Sequence, residues 1–422
     1  MQMARRLFHV DLFAGCGGLS LGLEQAGFTP VFFSELNADA RESYLLNRRV
    51  EAPHLADPRF HCADVKSLVV NRSAMKSLKA ALRSEFSIDL SRGELDLITG
   101  GPPCQGYSGI GHRRSYAVDK EQLPSNHLFE DMAYVVSALH PKIFLFENVR
   151  GLLSAKWNAR GRKGEVWEDV RATFGGLRGY STNWALIRAR DYGVPQNRPR
   201  VLLVGVRDDV SVRSPSTPLS TVAGGYLPDP TGSAPNLREL LGDLIDPNYR
   251  PGGTTICYPR AATTGAQRAL RTLRGRVLRK GEALTEHEYS YHSPRVQAKF
   301  AAMHQNGGEI PLAYRTKKFA QRLLPPMWDA AGPTITATCL ADDYVHFDQP
   351  RTLTVREWAR LQLFPDWYQF AGKRTTGGIR RAGNPRLGLF DREVPKYTQI
   401  GNAVPVGLAR AIGCHFRTIL AK

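Results

Sequence analysis

In the first half of the chain, short apolar runs alternate with turns and with stretches whose apolar residues recur at helical spacing. Leu7-Phe8-His9-Val10, Val31-Phe32-Phe33, Leu95-Asp96-Leu97-Ile98-Thr99, Ile143-Phe144-Leu145-Phe146 and Val201-Leu202-Leu203-Val204 read as buried strands. Leu19 to Ala26 and His127 to Leu139 read as the helices between them. Strands and helices taking turns up to about residue 207 predict an α/β fold with a mainly parallel sheet covered on both faces. Near residue 208 the pattern breaks. Proline, glycine, serine and threonine crowd 213–235, and 250–330 is irregular apart from a helix at Pro294 to His304, closed by Asn306-Gly307-Gly308. Regular structure resumes at Thr354-Val355-Arg356-Glu357, a capping box that opens a helix carrying Trp358, Leu361 and Leu363. A last helix starts with Pro405 and runs to about Leu420. The expected layout is a large domain over 1–207, a smaller irregular one over 208–333, and a connecting segment with a closing helix over 334–422.

Composition adds a partner. The 422 residues, 42% of them hydrophobic, are enough for one large core and a smaller one. The formal net charge is +18 and the pI about 9.8, which suits a polyanion. The charge is concentrated: residues 250–330 hold 14 Lys or Arg against 5 Asp or Glu, a surplus equal to half the net charge. The six cysteines (16, 62, 104, 257, 339 and 414) form neither a C-x-x-C pair nor a Cys/His cluster at zinc spacing. A reduced, cytoplasmic protein without a metal is therefore expected. No signal peptide or spanning apolar run is seen, so no membrane partner is expected.

Two regions carry candidate chemistry. Asp11-Leu12-Phe13-Ala14-Gly15-Cys16-Gly17-Gly18 lies between the first strand and the first helix, an arrangement that lets a ligand approach bare backbone. Glu35 follows the second strand, twenty residues after Gly15, where a carboxylate suits the hydroxyls of a ribose. Ser20 stands where a dinucleotide motif needs its third glycine, so a nucleoside cofactor without a pyrophosphate, such as S-adenosylmethionine, fits better. Further on, Gly100-Gly101-Pro102-Pro103-Cys104-Gln105 leaves one strand and Phe146-Glu147-Asn148-Val149 ends another. A thiol nucleophile facing a carboxylic acid is equipment for adding to an electron-poor ring.

These blocks, in this order, resemble those of the bacterial-type DNA (cytosine-5)-methyltransferases. The likeness continues through Asp64, Gly101 to Ser108, Glu147-Asn148-Val149, Gln196-Asn197-Arg198-Pro199-Arg200, Arg351 to Pro365 and Gln399-Ile400-Gly401-Asn402-Ala403-Val404. It implies a Rossmann-like S-adenosylmethionine-dependent methyltransferase domain joined to a target-recognition domain. It further implies methyl transfer from S-adenosylmethionine to C5 of a cytosine flipped out of a short specific duplex sequence, through a Cys104 adduct at C6.

Residue by residue, the resemblance makes Cys104 the nucleophile and Glu147 the acid that holds the ring, in a pocket expected to be closed and apolar. Arg198 and Arg200 supply positive charge near the thiol. Phe13, Gly15, Gly17, Gly18, Glu35, Asp64 and Pro103 fall to the cofactor site. Asn402 falls there as well, or to the floor beside the target nucleotide. Gln105, Ser108 and Arg113 belong to a loop that closes over DNA, and Thr334 to a Thr-hydrophobic pair at the end of the recognition region. Arg351, Arg356 and Arg360 suit phosphate contacts, and suit helix-surface charge or internal pairing at least as well. Double-stranded DNA is the expected partner of a monomer that works in the bacterial or phage-infected cytoplasm at the nucleoid. It acts alone or as the modification enzyme matched to a restriction endonuclease, without a stable complex between the two. Transfer-RNA methyltransferases of the same fold carry a Cys-Phe-Thr tripeptide that this sequence lacks.

Overall fold

Strands β1 (Leu7–Leu12), β2 (Phe28–Ser34), β3 (His61–Cys62), β4 (Leu97–Gly100), β5 (Ile143–Val149), β6 (Tyr180–Arg188) and β7 (Pro199–Arg207) form one seven-stranded sheet in the order β3-β2-β1-β4-β5-β7-β6. The computed structural model describes residues 5–103, 126–210, 220–315, 321–325, 334–335, 343–376 and 393–421. The five strands β1 to β5 are parallel, whereas β7 runs antiparallel between β5 and β6. This reversal matters for the site. It brings the start of β7, with Arg198 and Arg200, to the carboxyl end of β5, where parallel α/β sheets bind their ligands.

Helices cover both faces, as the apolar runs require. Val10, Ile98, Phe144, Phe146, Val201 and Leu203 pack to one side with the helices Leu128–Leu139 and Glu165–Gly175. The alternate residues Leu97, Ile143, Leu145, Leu202 and Val204 pack to the other, against α1 (Gly18–Gln25) and the closing helix Val406–Leu420. The last two helices touch backbone to backbone. A Cβ on Gly22 would lie 2.4 Å from the Ala409 Cβ, and one on Gly413 would lie 2.7 Å from that of Ala26. Small residues at both crossings therefore fix the return of the chain to its first helix.

On that second face β1 carries His9 and Asp11 in place of apolar residues, and both are buried. Burial pushes His9 down to about 3, with Arg48 adding to the effect. The folded state therefore binds fewer protons than the unfolded chain between pH 6.5 and 3, and this contribution to stability is lost as pH falls through that window. His9→Leu is expected to remove it. Wild type should lose about 2 kcal/mol more than the variant between pH 7 and pH 5 in parallel urea titrations, and equal losses would exclude His9 as the source.

A further core gathers Leu237, Leu240, Leu241, Leu244, Tyr258, Leu270 and Leu284 with Trp358, Leu361, Phe364, Tyr368 and Tyr397. Cys16 and Leu21, beside the glycine turn, belong to the same cluster. The capping box at Thr354 is formed as the sequence predicts, with Glu357 returning to the Thr354 N–H at 2.8 Å. Arg351, Arg356 and Arg360 pair internally. Arg351 grips Glu357 through both terminal nitrogens at 2.8 and 2.6 Å, and Arg360 lies between Asp243 and Asp366. Arg356 donates to the Pro365 and Tyr368 carbonyls and to Thr285. Among the described residues no helix is long and apolar enough to cross a membrane.

Candidate active site

The turn after β1 departs from ordinary backbone at three positions. Phe13, Gly15 and Gly17 have φ of 58°, 56° and 88°. For Phe13 that left-handed conformation is uncommon, and such outliers gather at ligand sites. Its N–H is held by the Ser34 hydroxyl at 3.3 Å. The three glycines of the turn serve different ends. A Cβ on Gly15 would meet nothing within 4 Å, so this residue borders open space. At Gly17 it would lie 2.8 Å from Arg48, Tyr44 and Tyr368 atoms, and at Gly18 2.5 Å from the Val404 carbonyl. Gly17 and Gly18 are therefore glycines for internal packing, and Gly15 is the one whose bareness faces outward.

Glu35 lies just beyond β2 and accepts from the N–H of Gly15 at 2.8 Å with one oxygen and from that of Asn37 at 2.7 Å with the other. Burial raises its carboxyl above the ordinary glutamate range, and the two backbone bonds oppose that rise. Each carboxylate oxygen has further acceptor capacity, enough for the two hydroxyls of a ribose. Asp64 stands two residues past β3, which pairs with β2 through Ser34 and Cys62, so both acids sit at the carboxyl edge of neighbouring strands. One Asp64 oxygen accepts from the Lys66 N–H at 2.9 Å, and the side chain is exposed. Leu36, 72% exposed, follows Glu35 directly. Sequence reading passed over it, although an apolar residue after the acid of a strand end was the available signal. An acid pair, open backbone at Gly15 and exposed apolar surface suit a nucleoside-bearing cofactor.

At the far side of the edge, Glu147 and Arg200 form an ion pair, with Nε 2.6 Å from Oε1. Register explains it. Glu147 is opposite Leu202 and Val149 opposite Arg200, which makes Glu147 and Arg200 diagonal neighbours on one face of antiparallel strands. The expected apolar enclosure of Glu147 is thus corrected: its nearest charged neighbour is a guanidinium. A Cβ on Gly101 would lie 2.9 Å from Glu147 Oε2, so only bare backbone lets the carboxylate approach the exit of β4. Asn148 braces the same exit, donating to the Pro102 carbonyl at 3.2 Å, and Pro103 is exposed beyond it. Cys104, Gln105, Ser108 and Arg113 lie outside the described residues.

Arg198 does a different job from Arg200. It is buried, and its Nη2 donates to the carbonyls of Gly401, Ala403 and Asn402 at 2.9, 3.0 and 3.2 Å, while Nη1 donates to that of Ile335. It ties the C-terminal end of the helix Lys396–Asn402, capped at Ala403, to the start of β7, and the Asn402 side chain stays exposed. Thr334 hydrogen-bonds through its hydroxyl to the Asn197 carbonyl, and Gln196 accepts from the Ile335 N–H at 3.3 Å. The Thr-hydrophobic pair is therefore fastened to the segment that carries both arginines.

Beneath the glycine turn lies a polar cluster that sequence reading did not find. The Asp11 carboxylate accepts from Ser20 and Thr99 hydroxyls, and burial pushes it up to about 6 against those two bonds. Its neighbours Tyr44 and Arg48 lie far along the chain, so no local pattern announces them.

The chain as a whole is similar to known proteins. Type II methyltransferase M.XorII of Xanthomonas oryzae pv. oryzae is 31% identical over 421 residues, spanning 98% of this chain and 85% of that one. Type II methyltransferase M.DdeI of Desulfomicrobium norvegicum is 29% identical, over 96% of this chain and 86% of its own. Among solved structures, a proposed DNA modification methyltransferase from an E. coli prophage superposes with a TM-score of 0.63 at 23% identity, covering 99% of this chain and all of the other. The Entamoeba histolytica methyltransferase EhMeth gives 0.53 at 12% identity, over 99% of this chain and 100% of its own. These two show the fold. The profile of the C-5 cytosine-specific DNA methylases matches residues 8–417, taking in both edges of the site and most of the closing helix, and the chain belongs to that family.

Proposed function

We propose that this DNA (cytosine-5)-methyltransferase works through Cys104 as nucleophile and Glu147 as the group that holds and polarises the ring. Cytosine C5 is a poor nucleophile. Addition of the Cys104 thiolate at C6 forms an S–C6 bond and moves the C5–C6 π pair toward C5, while negative charge spreads to N3. Glu147 hydrogen-bonds to N3 and the exocyclic amine and shares a proton with N3 as that charge develops. Glu35, Asp64, Gly15 and Phe13 would hold S-adenosylmethionine, which would supply the electrophilic methyl group that C5 takes as the methyl–sulfur bond breaks and S-adenosylhomocysteine leaves. Transfer of the C5 proton to a base then restores the C5–C6 double bond, breaks the S–C6 bond and expels the Cys104 thiolate. The observation that carries this assignment is the Glu147–Arg200 pair set against Gly101. Arg200 fixes the carboxylate, and the strand beneath it runs in sequence to Cys104. Arg198 and Asn402 close the floor.

The target carbon is inaccessible inside a stacked duplex, and unstacking the base costs a few kcal/mol that DNA contacts must supply. The basic 208–333 region suits that task and target recognition, with Gln105, Ser108, Arg113 and Thr334 near the flipped nucleotide. The likeness of the whole chain to M.XorII and M.DdeI favours a modification enzyme, solitary or matched to a restriction endonuclease. The test is bisulfite sequencing of unmethylated DNA after incubation with protein and S-adenosylmethionine, with Cys104→Ser alongside. Protection at one short motif by wild type alone is expected; methylation by the serine variant at the wild-type rate would remove Cys104 as nucleophile.

A further inference from the structure

The carbonyls of the glycine turn are held from below by two side chains that come from distant parts of the chain. Tyr368 donates its hydroxyl to the Cys16 carbonyl. Arg48 donates from Nη2 to the Gly17 carbonyl at 3.3 Å and from Nη1 to the Tyr368 oxygen at 3.2 Å. Both side chains are fully buried. Arg48 is itself fixed by Glu24, at 2.6 Å from Nη2, and by the Tyr44 ring, whose centroid lies 3.7 Å from its guanidinium carbon. The Tyr44 hydroxyl is 2.8 Å from that of Ser20, which donates to Asp11, and Asp11 also accepts from Thr99 at 3.0 Å. Thr99 lies in β4, the strand that leads to Cys104. At its other end the chain of bonds reaches Thr285, through Arg356, which donates to the Tyr368 carbonyl at 2.8 Å and to the Thr285 hydroxyl at 3.1 Å.

We propose that Tyr368 is a positioning residue for cofactor binding: through Cys16 O and Arg48 it holds the glycine turn in its binding shape, tied to the nucleophile's strand through Asp11 and Thr99 and to the basic region by Arg356. The proposal rests on the cofactor assignment of the turn made above. A buried carbonyl that loses its donor shifts toward another, and buried hydrogen-bond networks lose more than one bond when one member goes. Phe13, a non-glycine residue in the left-handed region, has the least intrinsic preference for its conformation and would move first.

Tyr368→Phe keeps the ring between Phe364 and Phe370 and removes only the hydroxyl. Calorimetry with S-adenosylmethionine is expected to show Kd raised about tenfold, with KM for S-adenosylmethionine rising in step and kcat changed far less. Tyr258→Phe is the control, because it deletes a buried hydroxyl of the same core that instead donates to Asp366 at 2.7 Å. It should lower Tm without moving Kd. Arg48→Lys, which withdraws a nitrogen from Gly17 O, should shift Kd in the same direction as Tyr368→Phe and stands in for it should that variant not fold. Unchanged Kd in the Tyr368 variant, or an equal rise in the Tyr258 control, overturns the proposal. Wild type that does not bind S-adenosylmethionine overturns the cofactor assignment instead.

Discussion

Glu147→Gln is expected to lower kcat for methyl transfer by about 10²–10⁴, the range a positioned acid or base contributes, while cofactor affinity stays at the wild-type value. The amide keeps the shape and some hydrogen bonding at N3 and the exocyclic amine, but it cannot share a proton with N3. It also leaves Arg200 facing a neutral group where Nε now has a carboxylate oxygen at 2.6 Å. Both effects act on the ring and not on the cofactor edge, which lies across the sheet at β1 and β2. Single-turnover methylation with saturating S-adenosylmethionine, together with calorimetry, separates them. A rate near wild type would show that ring activation does not pass through Glu147.

The pairing of Glu147 with Arg200 also shows where the sequence stops being legible. Each partner was a candidate from its own motif. Their contact depends on β7 running antiparallel beside β5, and an apolar run such as Val201–Val204 carries no sign of its direction. The strands β1, β2, β4 and β5 and the helices α1 and Leu128–Leu139 were visible because apolar period and turn residues are local properties. The bounds moved by a few residues, as in β2, which begins at Phe28 and takes in Pro30. The roles of the glycines were not local. Gly17 and Gly18 are bare because Tyr368 and Val404, far along the chain, press on them, and only Gly15 faces open space. Arg198 illustrates the same point. Its position two residues before Arg200 suggested one shared duty, whereas its four carbonyl partners lie beyond residue 334. Likewise the basic count over 250–330 overstated the charge free to meet DNA, since Arg271 is buried against Asp243.

That last pair leads to the largest expected loss of stability. Asp243 accepts from Arg271 Nε at 2.7 Å and from Arg360 at 2.6 and 3.1 Å, and all three side chains are wholly buried. Arg360 is completed by Asp366 at 2.9 and 2.6 Å, and Arg271 stacks over the Tyr258 ring at 3.7 Å. Two guanidinium and two carboxylate groups therefore balance in a space without solvent. Asp243→Ala removes one negative charge, taking from Arg271 the carboxylate it pairs with and leaving Arg360 with Asp366 alone. Breaking a buried pair in this way costs about 3–5 kcal/mol, a large part of the 5–15 kcal/mol that stabilises a typical domain. Asp243→Asn should lose less, because the amide oxygen still accepts from Arg271 or Arg360. Urea denaturation of the two variants should rank them below wild type in that order. Equal midpoints for Asp243→Ala and wild type would mean that water or a rearranged Asp366 satisfies both arginines. The cost is specific to the junction where Leu237–Leu244 meets the Val355–Arg360 helix, so limited proteolysis of Asp243→Ala is expected to open this junction before the seven-stranded sheet.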